Sequence, residues 1–264
     1  MRQAGRTRTA RGALALVLAI GLTTCGSNSN DSGSGAGDLS GSIQVFIASS
    51  LTPAFTEFAQ EFQDAHPGTE ITLNPGSSTT LAEQIRSGAD ADVYASADMT
   101  NMEKLQDDGL VTAEPVVFAK NQMEIAVEPG NPRQIESLPD LENPDLIVVL
   151  CASEAPCGKY ADQLLDENDV TITPKSREVD VATTLAKVAS GDADAAIVYV
   201  TDVKSTDDDV AGVSIPTDQN LVATYPIAPL QDSGNAALTQ AWVDFVTAPA
   251  QEQRLQDEFG FLPA

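Results

Sequence analysis

The chain has 264 residues with 39 acidic against 14 basic side chains, a formal charge of −25, 42% hydrophobic residues and only 5% aromatic ones. Four of the basic residues and none of the acids fall in the first 24, so the remainder carries ten basic against 39 acidic groups, a net −29. That balance excludes nucleic acid as a partner, since little is left to neutralise phosphates, and it suits a soluble acidic surface.

Arg2, Arg6, Arg8 and Arg11 precede an apolar stretch of eleven residues, Gly12 to Leu22. A spanning helix needs about 20 residues, so residues 1–24 read as a secretory signal instead. Leu22-Thr23-Thr24-Cys25 resembles a bacterial lipobox, although Thr24 stands where Gly, Ala or Ser is usual. Cys25 is therefore the expected acylation site, placing the chain on the outer face of the cell membrane with a lipid as its anchor. Residues 25–41 are almost devoid of large apolar side chains and read as a flexible tether. About 220 residues remain, enough for one large domain or two modest ones.

Strand and helix signals then alternate. Ser42–Ala48 is a β-branched apolar run and Leu51–Ala65 has helical spacing, stopping at His66-Pro67-Gly68. Strand Glu70–Leu73, helix Leu81–Ser87, strand Asp92–Ala95 and helix Met99–Asp107 follow, then strands Val116–Ala119 and Met123–Val127. Glu128–Asn143 reads as loop. The pattern restarts with strand Leu146–Leu150, helix Gly158–Leu165, an extended piece near Val179, helix Ala182–Ser190 and strand Ala195–Val200. An extended stretch at Leu221–Pro226 precedes helices around Ala236–Val246 and Ala250–Glu258. This alternation predicts an α/β fold with mostly parallel sheet, and the restart suggests two similar lobes.

Most catalytic chemistries lack their residues. The single histidine, His66, sits at a helix stop, and there is no G-x-S-x-G elbow, P-loop or G-x-G-x-x-G. Histidine and cysteine are too few for a metal cluster, and no carboxylate pair stands out from the acidic background. No enzyme, cofactor or bound metal cation is expected. With Cys25 acylated, Cys151 and Cys157 remain in an oxidising compartment, where they are expected to pair. Closing so short a loop contributes only about 2 kcal/mol.

One local device recurs: a strand ends, small or hydroxyl residues follow, and a helix begins. Ala48-Ser49-Ser50-Leu51-Thr52-Pro53 places Ser50 at the helix N-cap, and Gly76-Ser77-Ser78-Thr79-Thr80-Leu81 leads the second helix. Ala155-Pro156-Cys157-Gly158 and Asp180-Val181-Ala182 open two helices in the second half. Free N–H groups and the positive end of the helix dipole make each an anion site, while ordinary N-capping explains any one of them alone. Lys159 reads as a solvated lysine, Trp242 as packing, and Tyr94, Tyr160 and Tyr225 as structural.

V-F-I-A-S-S-L-T-P-A-F (45–55), P-G-S-S-T-T-L-A-E-Q-I (75–85) and G-A-D-A-D-V-Y-A-S-A-D (88–98) resemble the molybdate-binding proteins of ABC importers in order and spacing. So do A-P-C-G-K-Y-A (155–161), V-D-V-A-T-T-L-A-K-V (179–188), G-D-A-D-A-A-I-V-Y (191–199) and the terminal Glu258-Phe259-Gly260-Phe261. The resemblance spans residues 43 to 262. It implies a two-lobed periplasmic-binding-protein-like fold with two crossovers, lobe one being 42–122 plus 223–264 and lobe two 123–222. It further implies that Ser50 and Ser78 donate through hydroxyl and backbone N–H, Cys157 and Val181 through backbone N–H, and Tyr199 through its phenol. Position 157 usually holds a small residue such as alanine, and a backbone donor survives the change to cysteine. The implied ligand is molybdate or tungstate, delivered by a monomer to a membrane permease. Sulfate or phosphate on the same fold is the nearest alternative. Iron(III) capture is disfavoured by the lack of an adjacent tyrosine pair, and a lipoprotein hydrolase or an adhesin finds no support in motifs or repeats.

Overall fold

A computed structural model describes residues 39–206 and 208–264. The expected signal, Cys25 and most of the tether lie outside the described residues.

Strand β1 (Gly41–Ala48) begins one residue earlier than its β-branched run suggests. Side chains on a strand alternate between faces, so Ile43, Val45 and Ile47 enter one core while Phe46 enters a second. Helix α1 (Thr52–Ala65) carries Phe55, Phe58 and Phe62 on one stripe and lays them against Trp242 and Phe245 of α7 (Ala236–Val246). On the opposite face, α2 (Ser78–Arg86) and α3 (Met99–Asp107) cover Phe46 and Tyr94. The helix stop predicted at residues 66–68 is real: Gly68 takes the left-handed conformation at φ +98°, which a residue without Cβ adopts at little cost.

Strands β2 (Thr69–Gly76) and β3 (Val93–Ala95) flank β1 in parallel. In the second half, β6 (Ser176–Glu178) and β7 (Ala195–Tyr199) flank β5 (Val148–Cys151) in parallel. Helices α4 (Pro156–Glu167) and α5 (Val181–Ala189) pack on these strands. Between the two groups lie β4 (Val116–Val127) and β9 (Val222–Pro229). The continuous strand order is β2-β1-β3-β9-β4-β7-β5-β6. Helix α6 (Val200–Lys204) follows β7, strand β8 (Ala211–Ser214) pairs with β4, and α8 (Pro249–Asp257) lies near the C-terminus.

The parallel pairs anticipated from the strand–helix alternation sit in the two outer groups. Every pairing made by β4 or β9 is antiparallel. Residues 116–127 form one strand rather than the two expected. Its first part, as far as Gln122, pairs with β9, with a register shift between Val117 and Ala119, and Met123–Val127 pairs with β7 and β8. The polar Lys120-Asn121-Gln122 looked like a break, yet Asn121 is fully buried and its amide bonds Thr201 Oγ1 at 2.9 Å. At the same crossing the Asn220 side chain receives the Met123 N–H (3.1 Å) and donates to the Met123 carbonyl (2.8 Å), acting as a substitute strand partner.

Candidate functional site

The chain turns from strand to helix at four places around one small cavity. Its lining includes Ser50, Ser78, Cys157, Val181 and Tyr199, so all five residues singled out from the sequence come together. The cavity is small, about 10 Å³, roughly the space of one water-sized sphere. Larger hollows exist, one of about 660 Å³ near Val203 and Val210, so size does not select this place. The convergence of donors does.

Ser50 lies in a 3-10 turn, Ser49–Leu51, ahead of α1, whose N-cap is Leu51. The expectation that Ser50 caps the helix is therefore corrected: the turn interposes, and the Ser50 hydroxyl instead meets Tyr225 Oη at 2.9 Å. Ser78 opens α2 three residues earlier than expected, and its Oγ accepts the N–H of Ala97 (3.0 Å). Neither hydroxyl is used as a helix cap, which removes ordinary capping as the explanation for these serines.

On the other side, Cys157 and Val181 occupy the first turns of α4 and α5, where backbone N–H groups have no carbonyl four residues back. Asp180 caps α5 by accepting from Thr183 N at 2.8 Å, and it is the single carboxylate in the lining. Cys151 and Cys157 form a disulfide with Cα atoms 5.8 Å apart, fastening the start of α4 to the end of β5. Gly158 seals that junction: a Cβ there would stand 2.0 Å from the Ala152 carbonyl oxygen. Thr184 Oγ1 lies 3.3 Å from Cys151 Sγ and ties α5 to the same corner.

Tyr199 ends β7 with 1% of its surface exposed, and its hydroxyl has no hydrogen-bond partner among the described residues. Trp242 Nε1 is likewise unpartnered, but Trp242 packs among Phe55, Phe62 and Phe245 and does not line the cavity. Burial holds the Tyr199 phenol well above its ordinary pKa, with Tyr225, Tyr160, Asp202 and Asp98 adding to the shift, so it stays protonated as a donor. One turn further on, the buried Asp202 carboxylate accepts the Tyr199 N–H at 2.9 Å, and burial pushes its pKa up to about 7.

Lys159 is not simply solvated. Its ammonium reaches across to Asp98 Oδ2 (3.0 Å) and Thr100 Oγ1 (3.1 Å), joining α4 to the N-terminus of α3. Nearby, Thr79 Oγ1 donates to the Glu154 carbonyl at 2.6 Å, a second bond between the two strand groups. The sequence placed Tyr225 among structural residues and gave no signal for Asn121; both stand directly behind Ser50. His66 packs at a tilt against Phe62 with ring centres 4.5 Å apart and takes no part in the cavity. Among the described residues no group of three or more His, Cys, Asp or Glu side chains is placed to hold a metal ion.

Residues 43–262 match the family described as bacterial extracellular solute-binding protein. The chain belongs to that family. This solute-binding protein is 40% identical over 252 residues to the molybdate-binding protein ModA of Mycobacterium tuberculosis, covering 95% of this chain and 96% of that one. It is 29% identical to ModA of Escherichia coli K12, over 84% and 89% of the two chains. Among solved structures, the Azotobacter vinelandii periplasmic molybdate-binding protein superposes with a TM-score of 0.74 at 17% identity, covering 84% of this chain and 99% of its own. The sulfate-binding protein SubI of Mycobacterium tuberculosis has a TM-score of 0.71 at 19% identity, over 84% and 87% of the chains. These likenesses establish the periplasmic-binding-protein fold. No helix among the described residues is long and apolar enough to cross a membrane.

Proposed function

We propose that this solute-binding protein is the extracytoplasmic substrate-binding component of an ABC importer, and that it captures molybdate or tungstate in the cavity bounded by Ser50, Ser78, Cys157, Val181 and Tyr199. The observation that carries the reading is the Tyr199 hydroxyl, buried and without a partner in a cavity lined by helix N-termini. A buried polar group left unpaired costs free energy, so a ligand that accepts its proton relieves that cost.

A tetrahedral dianion suits such a lining. It offers four oxygens and no proton, and its burial is tolerated only when each oxygen is hydrogen-bonded. Hydroxyls and first-turn N–H groups supply this without a counter-charge, each charge-assisted bond contributing about 1.5–3 kcal/mol. The net −29 charge of the chain beyond residue 24 opposes approach only at long range, since physiological salt screens beyond about 8 Å. Close in, the dipoles at the helix ends dominate.

In this reading, lobe one (42–122 plus 223–264) and lobe two (123–222) close on the anion about the β4 and β9 crossings. Lys159 with Asp98, and Thr79 with Glu154, then latch the closed cleft. The protein acts as a monomer, held at the membrane by acylated Cys25, and releases its ligand to a permease unchanged. Relatives named for molybdate, at identities up to 40%, support the choice of anion.

Titration calorimetry of the purified protein tests it. Molybdate and tungstate should each give a saturable heat and raise Tm by mass action, with sulfate and hydrogen phosphate weaker. No heat with either metal oxyanion would sink the proposal, and a preference for sulfate would reassign the ligand.

A further inference from the structure

Behind Ser50 lies a short chain of buried polar groups whose directions can be worked out. Asn121 Oδ1 accepts the Gln122 backbone N–H at 3.0 Å, and a backbone N–H can only donate, so the amide nitrogen must face the other way. That nitrogen donates to Thr201 Oγ1 at 2.9 Å and to Tyr225 Oη at 3.4 Å. Tyr225 is fully buried, and the remaining hydrogen-bond neighbour of its hydroxyl among the described residues is Ser50 Oγ, 2.9 Å away. A buried hydroxyl proton needs an acceptor. Asn121 presents only protons, so the phenol must donate to Ser50, and the Ser50 proton is left to point into the cavity that Ser50 lines.

Ser78 reaches the same state by another route. The Ala97 N–H occupies a lone pair of Ser78 Oγ at 3.0 Å, again freeing the serine proton for the cavity. Tyr199 adds a third hydroxyl proton, on an oxygen with no hydrogen-bond partner among the described residues. A backbone group that no side-chain change removes sets the Ser78 direction, whereas one phenol sets that of Ser50.

We propose that Tyr225, held by Asn121, is a positioning residue that turns the Ser50 proton toward the ligand, so that Ser50 meets an oxyanion oxygen as a donor already aligned. This rests on the oxyanion reading above. An oxyanion oxygen accepts that proton with no rotation of the serine. Without the Tyr225 hydroxyl, Ser50 rotates freely, and fixing its direction is added to the cost of binding.

The experiment is a double-mutant cycle in the full chain, read by calorimetry with molybdate, tungstate, sulfate and hydrogen phosphate. Y225F is close to isosteric and should weaken molybdate binding roughly 5–10-fold, the range for one lost neutral hydrogen bond. In the S50A background, Y225F should change molybdate affinity by less than about twofold, because its effect passes through Ser50. A general loss of packing would add to S50A; that result overturns the inference while leaving the oxyanion reading intact. Wild-type protein that binds none of the four overturns both. If Y225F fails to fold, N121L carries the same cycle: its loss must vanish in the S50A background, and a loss that persists there counts against the relay.

Discussion

The two sides of the cavity provide the same service with different parts. On the β1–β3 side the donors are side chains, Ser50 and Ser78, each with its oxygen already held by a protein donor. On the β5–β7 side they are first-turn backbone groups at Cys157 and Val181, joined by a phenol whose hydroxyl has no hydrogen-bond partner among the described residues. One side is fixed by hydrogen bonds and can be edited residue by residue. The other is fixed by a disulfide, a glycine contact and a helix cap, and its main-chain donors answer only to changes in backbone position.

The difference can be broken most severely through its buried acids. Asp98, on the first side, is surrounded by Lys159, Asn101 and Ser96, whereas Asp202, on the second, holds the Tyr199 N–H and is pushed by burial to about 7. A carboxyl raised in the folded state contributes stability below its ordinary range near 4 and loses it as pH climbs through 7. D202N should therefore gain on wild type across that window, by roughly a few kcal/mol above pH 7. Thermal melts from pH 4 to 8 check the sign; a constant difference would refute it.

Next in size is the α4 junction. A methyl at Gly158 must displace the Ala152 carbonyl or the helix start, and shifting the charge-assisted Cys157 donor should weaken molybdate binding about 100-fold in G158A. Calorimetry that finds normal affinity would show that the second side tolerates movement. S78A and S50A remove single donors from the first side and should each cost about 10-fold in affinity. Unchanged binding in both would mean that the cavity has been wrongly chosen. Y199F removes a donor from the second side and should likewise cost about 10-fold in affinity. Because the lost hydroxyl has no partner among the described residues, the ligand-free variant should be at least as stable as wild type. A drop in its Tm would reveal a bond to that hydroxyl in the empty protein.

How legible was this in the sequence? The strand–helix alternation and the hydroxyl-rich turns were visible because period and turn chemistry are local, and they brought Ser50, Ser78, Cys157 and Val181 to notice, whereas Tyr199 was named by the family resemblance alone. Features that depend on distant partners were hidden. Lys120-Asn121-Gln122 reads as polar punctuation until Thr201 and Tyr225 arrive to satisfy Asn121. Strand β8 and helix α6 sit in a run of acids and hydroxyls with no periodic signal, and β8 exists because β4 pairs with it. Lys159 looked solvated because its partner Asp98 lies 61 positions away. Ser50 seemed to be a helix cap until the 3-10 turn moved the cap to Leu51.

The bonds from Lys159 to Asp98 and from Thr79 to the Glu154 carbonyl have a consequence of their own. They span the two sides without being among the donors that face the cavity. In a cleft that opens to exchange its contents, such contacts govern residence time: strengthening them slows escape, and loosening them hastens it, with the cavity's chemical preference left as it was. In the proposed reading, selectivity and dwell fall to different residues. A carrier that must hold its cargo until handover can adjust the second without disturbing the first.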